Sequence, residues 1–277
     1  MALSAPIGIA LAPRPAAADA VDDVIDRARL LQRLGIDRVW FGQRFDVDAL
    51  VLAAVVGSAV PGLHVGTSVV PINPRHPLVV ASQAQTAHAA THRRFTLGLG
   101  LGAPGLEEPA FGIRTERPIR RLREYLTVLR SVLTTGTVDF TGETVTAVPP
   151  MSAAVAGGDD PDIVVAAMGP QAVAAAGELA DGIVPFLAGP RTLGDEIVPR
   201  LAAAARTAGR PRPRVITGVT VVVTDRPERA RARAAEQMAF RLNARPATGA
   251  GPVPSYRTPS SYRKIHPRTD VHRITCS

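Results

Sequence analysis

The stretch HVGTSVVPINPRHPLVVASQAQ, His64 to Gln85, decides the fold class, because it passes from a strand pattern to a helix pattern. His64–Val70 is a short apolar run typical of a buried strand. Pro71–Pro77 contains three prolines and suits neither a strand interior nor a helix interior. A helix is predicted from Pro77 to Ala90. A buried strand followed by a helix is the unit of a parallel α/β sheet, whose ligands bind at the carboxyl ends of the strands.

The same order of strand and helix recurs along most of the chain. Short apolar runs, each followed by a helical pattern, predict strands at Ile7–Leu11, Arg38–Gly42, His64–Val70, Phe95–Gly100, Asp162–Ala167, Gly182–Phe186 and Arg214–Val223. A small hairpin is predicted at Val138–Val148, after a long connection at Leu101–Glu116. Steady alternation without a division into two halves favours a TIM (β/α)8 barrel over an open doubly wound sheet, which remains the alternative.

The eighth unit of that barrel is missing from the pattern. After Phe240 the sequence contains five prolines, no periodic apolar pattern and most of the +8 net charge, through six arginines and Lys264 against Asp270. We therefore expect a barrel domain at 1–240 and an atypical Pro/Arg-rich tail at 241–277. One hypothesis is a tail translated out of frame or read into an unrelated segment, and the alternative is a natural disordered end.

Composition excludes several classes of chemistry. The single cysteine, Cys276, rules out an intrachain disulfide and a cysteine metal cluster. The single lysine, Lys264, lies in the tail, which argues against Schiff-base and pyridoxal-phosphate catalysis. No apolar run reaches membrane-spanning length, and the N-terminus lacks the basic region of a signal peptide, so we expect a cytoplasmic protein. A basic tail is also typical of nucleic-acid or membrane binding, but we expect neither partner, since an incidentally basic end is simpler.

Two strand ends carry the clearest ligand signals. Small residues after the strand at Asp162–Ala167 lead into Pro170 at a helix start, where free N–H groups and the helix dipole favour an anion or phosphate, although an ordinary βα turn is equally compatible. The glycines of FTLGLGLG do not match a dinucleotide fingerprint, and they are interpreted as room for a flat ligand against the backbone. Glu107 and Glu108 are expected to be solvated, four arginines at 117–123 to form an exposed helix face, and no metal site is predicted.

Six segments in order carry a family resemblance: ARLLQRLGIDRVWFG, LHVGTSVVPINPRHPLVVASQAQTAH, RRFTLGLGLG, RLREYLTVLRSVL, VDFTGETVTAV and VVAAMGPQAVAAAGELADGIVP. Over about residues 5–240 the chain resembles the bacterial luciferase-like monooxygenases, in particular their branch of coenzyme F420 (5-deazaflavin)-dependent oxidoreductases. The resemblance implies a TIM barrel with a cis peptide bond at Ser68–Val69, behind the central ring of the deazaflavin. It also suggests a homodimer.

The resemblance further implies a set of cofactor-binding residues. The ring would lie against Ser68, Val69, Gly100, Gly102 and Ala103, and the phosphate-bearing tail against Ala166, Ala167, Met168, Gly169 and Pro170. The sugar-phosphate dehydrogenase members have an Asp-His pair where this chain has Gln43-Arg44, and a glutamate where it has Ala103. That activity is therefore not carried over, and no catalytic side chain is assigned.

What remains is a reductase that transfers hydride between the deazaflavin and a small organic substrate, with Gln43 and Arg44 as candidate contacts of the substrate pocket. A monooxygenase that uses riboflavin phosphate (FMN) is one alternative. A degenerate, non-catalytic barrel is the other.

Overall fold

The computed structural model describes residues 6–243, with their side chains except at 104 and 237–243. The strands are β1 Gly8–Leu11, β2 Arg38–Phe41, β3 His64–Thr67, β4 Val70–Pro71, β5 Phe95–Gly100, β6 Phe140–Thr141, β7 Thr146–Ala147, β8 Asp162–Ala166, β9 Gly182–Ile183 and β10 Arg214–Val215. The helices are α1 Ala20–Arg33, α2 Ala49–Ala59, α3 Pro77–Ala90, α4 Pro104–Phe111, α5 Pro118–Thr135, α6 Pro170–Leu179, α7 Val198–Thr207 and α8 Pro227–Asn243, with a π-helical turn, Thr192–Ile197, before α7.

One parallel sheet organises the molecule. Its strands run in the order β1-β2-β3-β5-β8-β9-β10, and β4 pairs with β5 beyond the end of β3. Strands that follow one another in the main alternation are therefore neighbours in space, which is the arrangement of a half-barrel. The α/β class and the parallel sheet are confirmed. Closure by eight units stays a prediction, because β1 and β10 each pair with a single neighbour among the described strands.

Local sequence signals explain why the helices begin where they do. The carboxylates of Asp19 and Asp48 accept the first free N–H groups of α1 and α2, which would otherwise lack partners. Pro77 occupies the first turn of α3, and the bounds of this helix agree with the predicted ones. Apolar strand residues such as Val39, Val65 and Leu97 are fully buried between the sheet and these helices, and each contributes roughly 1.5–3 kcal/mol to folding.

The predicted hairpin is confirmed as the antiparallel pair β6–β7. A carboxylate of α5 anchors it, because Glu124 accepts the backbone N–H groups of Glu143, Thr144 and Val145. Burial opposes ionisation of Glu124, but the bonds from Thr144 and its neighbours outweigh that effect and lower the pKa of the carboxyl group. The hairpin is thus tied to the outer surface of α5.

The last predicted strands are shorter than expected. Arg214–Val223 was expected to be one strand, but regular pairing ends at Val215, and four valines beyond it, at 219, 221, 222 and 223, are 58–98% exposed. Gly182–Phe186 is reduced to Gly182–Ile183. A valine-rich segment becomes a strand when neighbours pair with it and cover it, and no described strand lies on the outer side of β10.

The long connection predicted at Leu101–Glu116 contains a helix, α4, that the sequence interpretation did not predict. Pro104 begins this helix, and Gly112 ends it in the left-handed conformation. At the other end of the chain, α8 runs across residue 240, and the rest of the predicted tail, 244–277, lies outside the described residues. No helix between residues 6 and 243 has both the length and the apolar composition needed to cross a bilayer.

Candidate functional site

The interruption between β3 and β4 is held in place by the loop that follows β2. The peptide bond between Ser68 and Val69 is cis, as the resemblance implies. The N–H of Ser68 donates to the carbonyl of Phe41 at 2.7 Å, and the carbonyl of Val69 accepts from the N–H of Gln43 at 3.3 Å. The proline-rich detour then returns to the sheet, where Ile72 donates to the Gly100 carbonyl at 2.9 Å. These bonds tie Ser68 and Val69 to the end of β2 and the loop after it, and they tie Ile72 to β5.

Two glycines of β5 make room for this interruption. A Cβ atom at Gly98 would lie 1.8 Å from the carbonyl oxygen of Thr67, and one at Gly100 would lie 2.8 Å from Cγ2 of Val69. The Thr67 hydroxyl also exchanges hydrogen bonds with the backbone of Gly98, at 2.8 Å in each direction. At these two positions, atoms of β3 and of the bulge after it therefore occupy the space that a side chain would need. The interpretation of these glycines as room for a flat ligand against the backbone stays a prediction.

The sheet register brings several predicted site residues into one row. Pro71 lies opposite Gly100, and Gly100 lies opposite Ala166. A Cβ at Gly100 would be 3.6 Å from that of Ala166, so the strand ends are in van der Waals range. The Ser68–Val69 bulge, the end of β5 and the turn after β8 consequently share the carboxyl edge of the sheet.

The turn after β8 has the form of an anion cradle. Gly169 is the N-cap of α6 and supplies no side-chain cap, so the first N–H groups of the helix are left available. Apart from its chain neighbours, no residue between 6 and 243 has an atom within 4 Å of the place a Cβ of Gly169 would occupy, which leaves open space in front of the helix start. Ala167 is buried behind the turn. These features fit the phosphate-bearing tail that the resemblance assigns to Ala166–Pro170.

A cavity of about 590 Å³ opens beside this turn, and three of its seven lining residues are arginines. It is lined by Ile119, Arg120, Arg123, Pro170, Gln171, Ala174 and Arg200. The arginines at 117–123, expected to form one exposed face, have partners in the structure. Arg117 and Arg120 pair with Glu143, Arg121 donates to Asn73 and to the Thr144 carbonyl, and Arg123 pairs with Glu178. Glutamates thus offset the charges of Arg120 and Arg123 at the cavity.

Glu107, at the edge of the site, could serve in acid/base chemistry, but the sequence interpretation placed it at the surface. It was expected to be solvated, but it is only 5% exposed, and its Oε1 accepts the N–H of Ala103 at 3.2 Å. Burial raises the pKa of Glu107, while the Ala103 N–H and the Asn73 amide partly offset that rise. Gly102 has φ +85°, and a Cβ there would lie 1.9 Å from the Glu107 carboxylate. The available signal was Pro104 followed by glutamates, a helix-start pattern.

The second oxygen of Glu107, Oε2, is buried and lacks a hydrogen-bond partner among residues 6–243. The Asn73 amide lies close enough to favour the charged carboxylate, yet it donates to the Thr115 hydroxyl at 2.8 Å. A carboxyl group in this environment is a candidate proton carrier at the edge of the site.

The polar residues proposed for the substrate pocket are engaged within their own loop. The Gln43 amide donates to the carbonyls of Arg44 and Val47, and its oxygen accepts from Ala49 and Arg75. Arg44 forms two hydrogen bonds of 2.7 Å with Asp46. A role of either side chain toward a substrate stays a prediction. Within the described part of the chain, no cluster of three or more His, Cys, Asp or Glu side chains could hold a metal ion.

The fold and the candidate site define the class of this protein. It is a parallel α/β protein whose candidate ligand-binding residues lie at the carboxyl edge of the sheet. The family model described as luciferase-like monooxygenase matches residues 1–271, so the chain belongs to that family. A Mycobacterium tuberculosis protein, provisionally named as a coenzyme F420-dependent oxidoreductase, is 31% identical over 58% of this chain and 50% of its own length. The F420-dependent glucose-6-phosphate dehydrogenase of Nocardia farcinica is 30% identical over 68% of this chain and 60% of its own length. The chain thus spans about half the length of the curated relatives it matches.

Solved structures support the fold. The coenzyme F420-dependent tetrahydromethanopterin reductase of Methanopyrus kandleri superposes with a TM-score of 0.70 at 20% identity, over 86% of this chain and 72% of that one. The oxygenating constituent of 3,6-diketocamphane monooxygenase from Pseudomonas putida, in complex with FMN, superposes with a TM-score of 0.67 at 19% identity, over 86% and 74% of the two chains. At such identities the likeness establishes the fold.

Proposed function

We propose that this chain is an F420-dependent oxidoreductase that transfers hydride between the deazaflavin and a small organic substrate. The observation that carries the proposal is the row at the carboxyl edge, where the Ser68–Val69 bulge, the end of β5 and the open turn at Gly169 lie side by side. Membership of the family and the F420-dependent activities named for its relatives support the same conclusion.

The proposed cofactor contacts follow this row. Ser68 and Val69 would back the ring, with Gly100, Gly102 and Ala103 along its edge. The phosphate-bearing tail would take the N–H groups of the Ala166–Pro170 turn, including Ala167, Met168 and Gly169. When bound, reduced F420 would supply the hydride for an activated carbon of the substrate, with water as the source of the proton that completes the reduction and as the acceptor of the proton that the cofactor releases. The chain's own contribution is orientation and exclusion of water.

Several further expectations about the fold, the location and the partners of the protein belong to the same proposal. The seven main strands follow barrel order, and an eighth strand between β10 and β1 would close a TIM barrel. We propose that the barrel domain occupies 1–240 and that 241–277 is an atypical tail in place of the eighth unit. A cytoplasmic location and a homodimer accompany this assignment, with no nucleic-acid partner. A barrel that fails to close would instead be a degenerate, non-catalytic member of the family.

An FMN-dependent monooxygenase is the second candidate. The likeness in fold to a structure solved in complex with FMN favours it. FMN also ends in a phosphate, so the Gly169 turn suits either cofactor.

The test is thermal melting of the purified full chain alone, with F420 and with FMN. A cooperative transition that F420 raises by several degrees is expected, since a ligand that binds only the folded state stabilises it. A rise with FMN alone would transfer the assignment to the monooxygenase. The absence of any cooperative transition would identify the degenerate barrel.

A matched pair of variants locates the cofactor phosphate. Gly169→Glu places a negative charge in the open space before α6, and Gly169→Gln adds the same shape without the charge. We expect Gly169→Glu to weaken F420 binding about tenfold relative to Gly169→Gln, measured by quenching of cofactor fluorescence. Equal affinities for the two variants would place the phosphate elsewhere.

A further inference from the structure

The loop after β2 presents one free apolar side chain at the carboxyl edge. Gln43 and Arg44 are engaged within this loop, but Phe45 between Arg44 and Asp46 is 72% exposed. The loop borders the proposed cofactor wall directly, since the Gln43 N–H bonds to the Val69 carbonyl. The side chain that this loop offers to a ligand is therefore aromatic.

Phe111, the last residue of α4, lies against Phe45. The two ring centroids are 5.8 Å apart at an interplanar angle of 46°, and Phe111 is itself 42% exposed. Helix α4 follows β5 and is fixed at its start by the bond between Glu107 and the Ala103 N–H. The pair thus connects the two loops that flank the Ser68–Val69 bulge. Phe186, which follows β9 at the same edge, is also exposed.

An exposed aromatic pair beside a ligand site calls for an apolar occupant. Contact between an aromatic ring and water is unfavourable, and covering the ring with an apolar molecule is favourable. The nearest charges in the loop, on Arg44 and Asp46, neutralise each other in a two-bond ion pair. A charged sugar phosphate would find no free cation in this loop.

We propose that Phe45 and Phe111 form a substrate clamp, and that the substrate is an uncharged apolar molecule that carries a reducible carbonyl group or carbon–carbon double bond. This inference rests on the proposed function, because the clamp adjoins the cofactor wall assigned there. It narrows the substrate class and accounts for the loss of the polar residues found in the sugar-phosphate dehydrogenases.

The test measures binding without turnover. The probe is an uncharged dimethylamino-naphthyl ketone whose emission shifts to the blue in apolar surroundings, titrated into the full chain saturated with oxidised F420. We expect saturable binding that glucose 6-phosphate does not displace. The double variant Phe45→Ser/Phe111→Ser should bind the probe about tenfold more weakly or worse, and Phe45→Leu/Phe111→Leu should restore most of the affinity.

Two controls keep the test decisive. Met151→Ser removes an exposed apolar side chain from the segment that bonds to the C-terminal end of α5, and it should leave probe affinity unchanged. F420 affinity of each variant is measured separately by cofactor fluorescence, and it should equal that of the parent. Unchanged probe binding in the double serine variant, or displacement by glucose 6-phosphate, would overturn the clamp. Probe binding that needs the two phenylalanines in a chain that binds no F420 would uphold the clamp and overturn the cofactor assignment.

Discussion

Two valine-rich segments of this chain have opposite fates. Ile163, Val164 and Val165 lie in β8, paired with β5 on one side and β9 on the other, and they are fully buried. Val219 and Val221–Val223 follow β10, have no described strand beyond them and remain exposed. Similar side chains therefore become core or surface according to their neighbours, because strand preference is largely a preference for a paired, covered surface.

The largest effect on stability is expected when a glycine is substituted in the paired region, and a glycine of the exposed segment serves as its control. Gly98→Ala forces a Cβ against the Thr67 carbonyl in the paired region. Gly218→Ala, in the unpaired segment, meets no atom within 4 Å from the described residues beyond its chain neighbours. We expect Gly98→Ala to lower the free energy of unfolding by about 3 kcal/mol or more, and Gly218→Ala to change it by less than about 0.5 kcal/mol. Urea denaturation measures both. Equal effects would mean that the close contact at Gly98 is absent in solution.

The valines themselves provide a second contrast. Val165→Ala leaves a cavity between the sheet and its helices, and should cost about 2 kcal/mol of stability. Val223→Ala removes an exposed side chain, and should cost almost nothing. The two variants delete the same atoms, so the difference between their denaturation midpoints isolates burial. A comparable loss for Val223→Ala would reveal that this segment is covered in the folded protein.

The paired region also contains a half-buried titratable group, His64 at the start of β3, whose ring bonds to the Thr96 hydroxyl at 2.9 Å. Burial, with Arg38 and Arg214 nearby, lowers the pKa of His64 from 6.5 to about 4. Between these values the unfolded chain binds the proton and the folded chain does not, so stability should fall as the pH drops from 6.5 toward 4. The expected loss is about 2 kcal/mol after allowance for partial exposure.

His64→Gln keeps a hydrogen-bonding side chain beside Thr96 but cannot titrate. Urea denaturation of this variant at several pH values should show a shallower dependence than the parent over the same window. Identical slopes would show that other groups cause the acid sensitivity.

The smallest effect on stability is expected at the open edge. Val221→Lys/Val223→Lys places charges on exposed positions, and should alter the free energy of unfolding by less than about 0.5 kcal/mol. It should nevertheless reduce self-association, since exposed apolar strand edges promote contacts between chains and lysines oppose them. Light scattering at increasing protein concentration measures this. A large loss of stability in the double lysine variant would indicate that the valines are partly buried.

Local patterns made part of the fold predictable. The bounds of α3 and β5 agree with the predicted elements, because proline and the change of apolar period mark them in the sequence itself. The hairpin was likewise predictable from its alternation and its glycine turn. Helix α4 was not predicted, because it is short and its first proline was a weak local signal.

The candidate site divides along the same line. The strand ends at Ser68–Val69 and Ala166–Pro170 were located from the sequence, since strand ends follow from the periodicity and the family resemblance. Three features could not be located from the sequence, because each depends on residues from different βα units. They are the close contact at Gly98, the burial of Glu107 and the contact between Phe45 and Phe111.

The sequence by itself determined the alternation of strands and helices, the parallel sheet and the edge to which the candidate site residues belong. These properties depend on neighbours along the chain, and periodicity, proline and glycine record them locally. Only the tertiary structure decided which glycine makes room for a neighbouring strand, which carboxyl group is buried and which valines stay exposed. Those outcomes depend on contacts between distant residues, and burial exists only once the sheet has assembled.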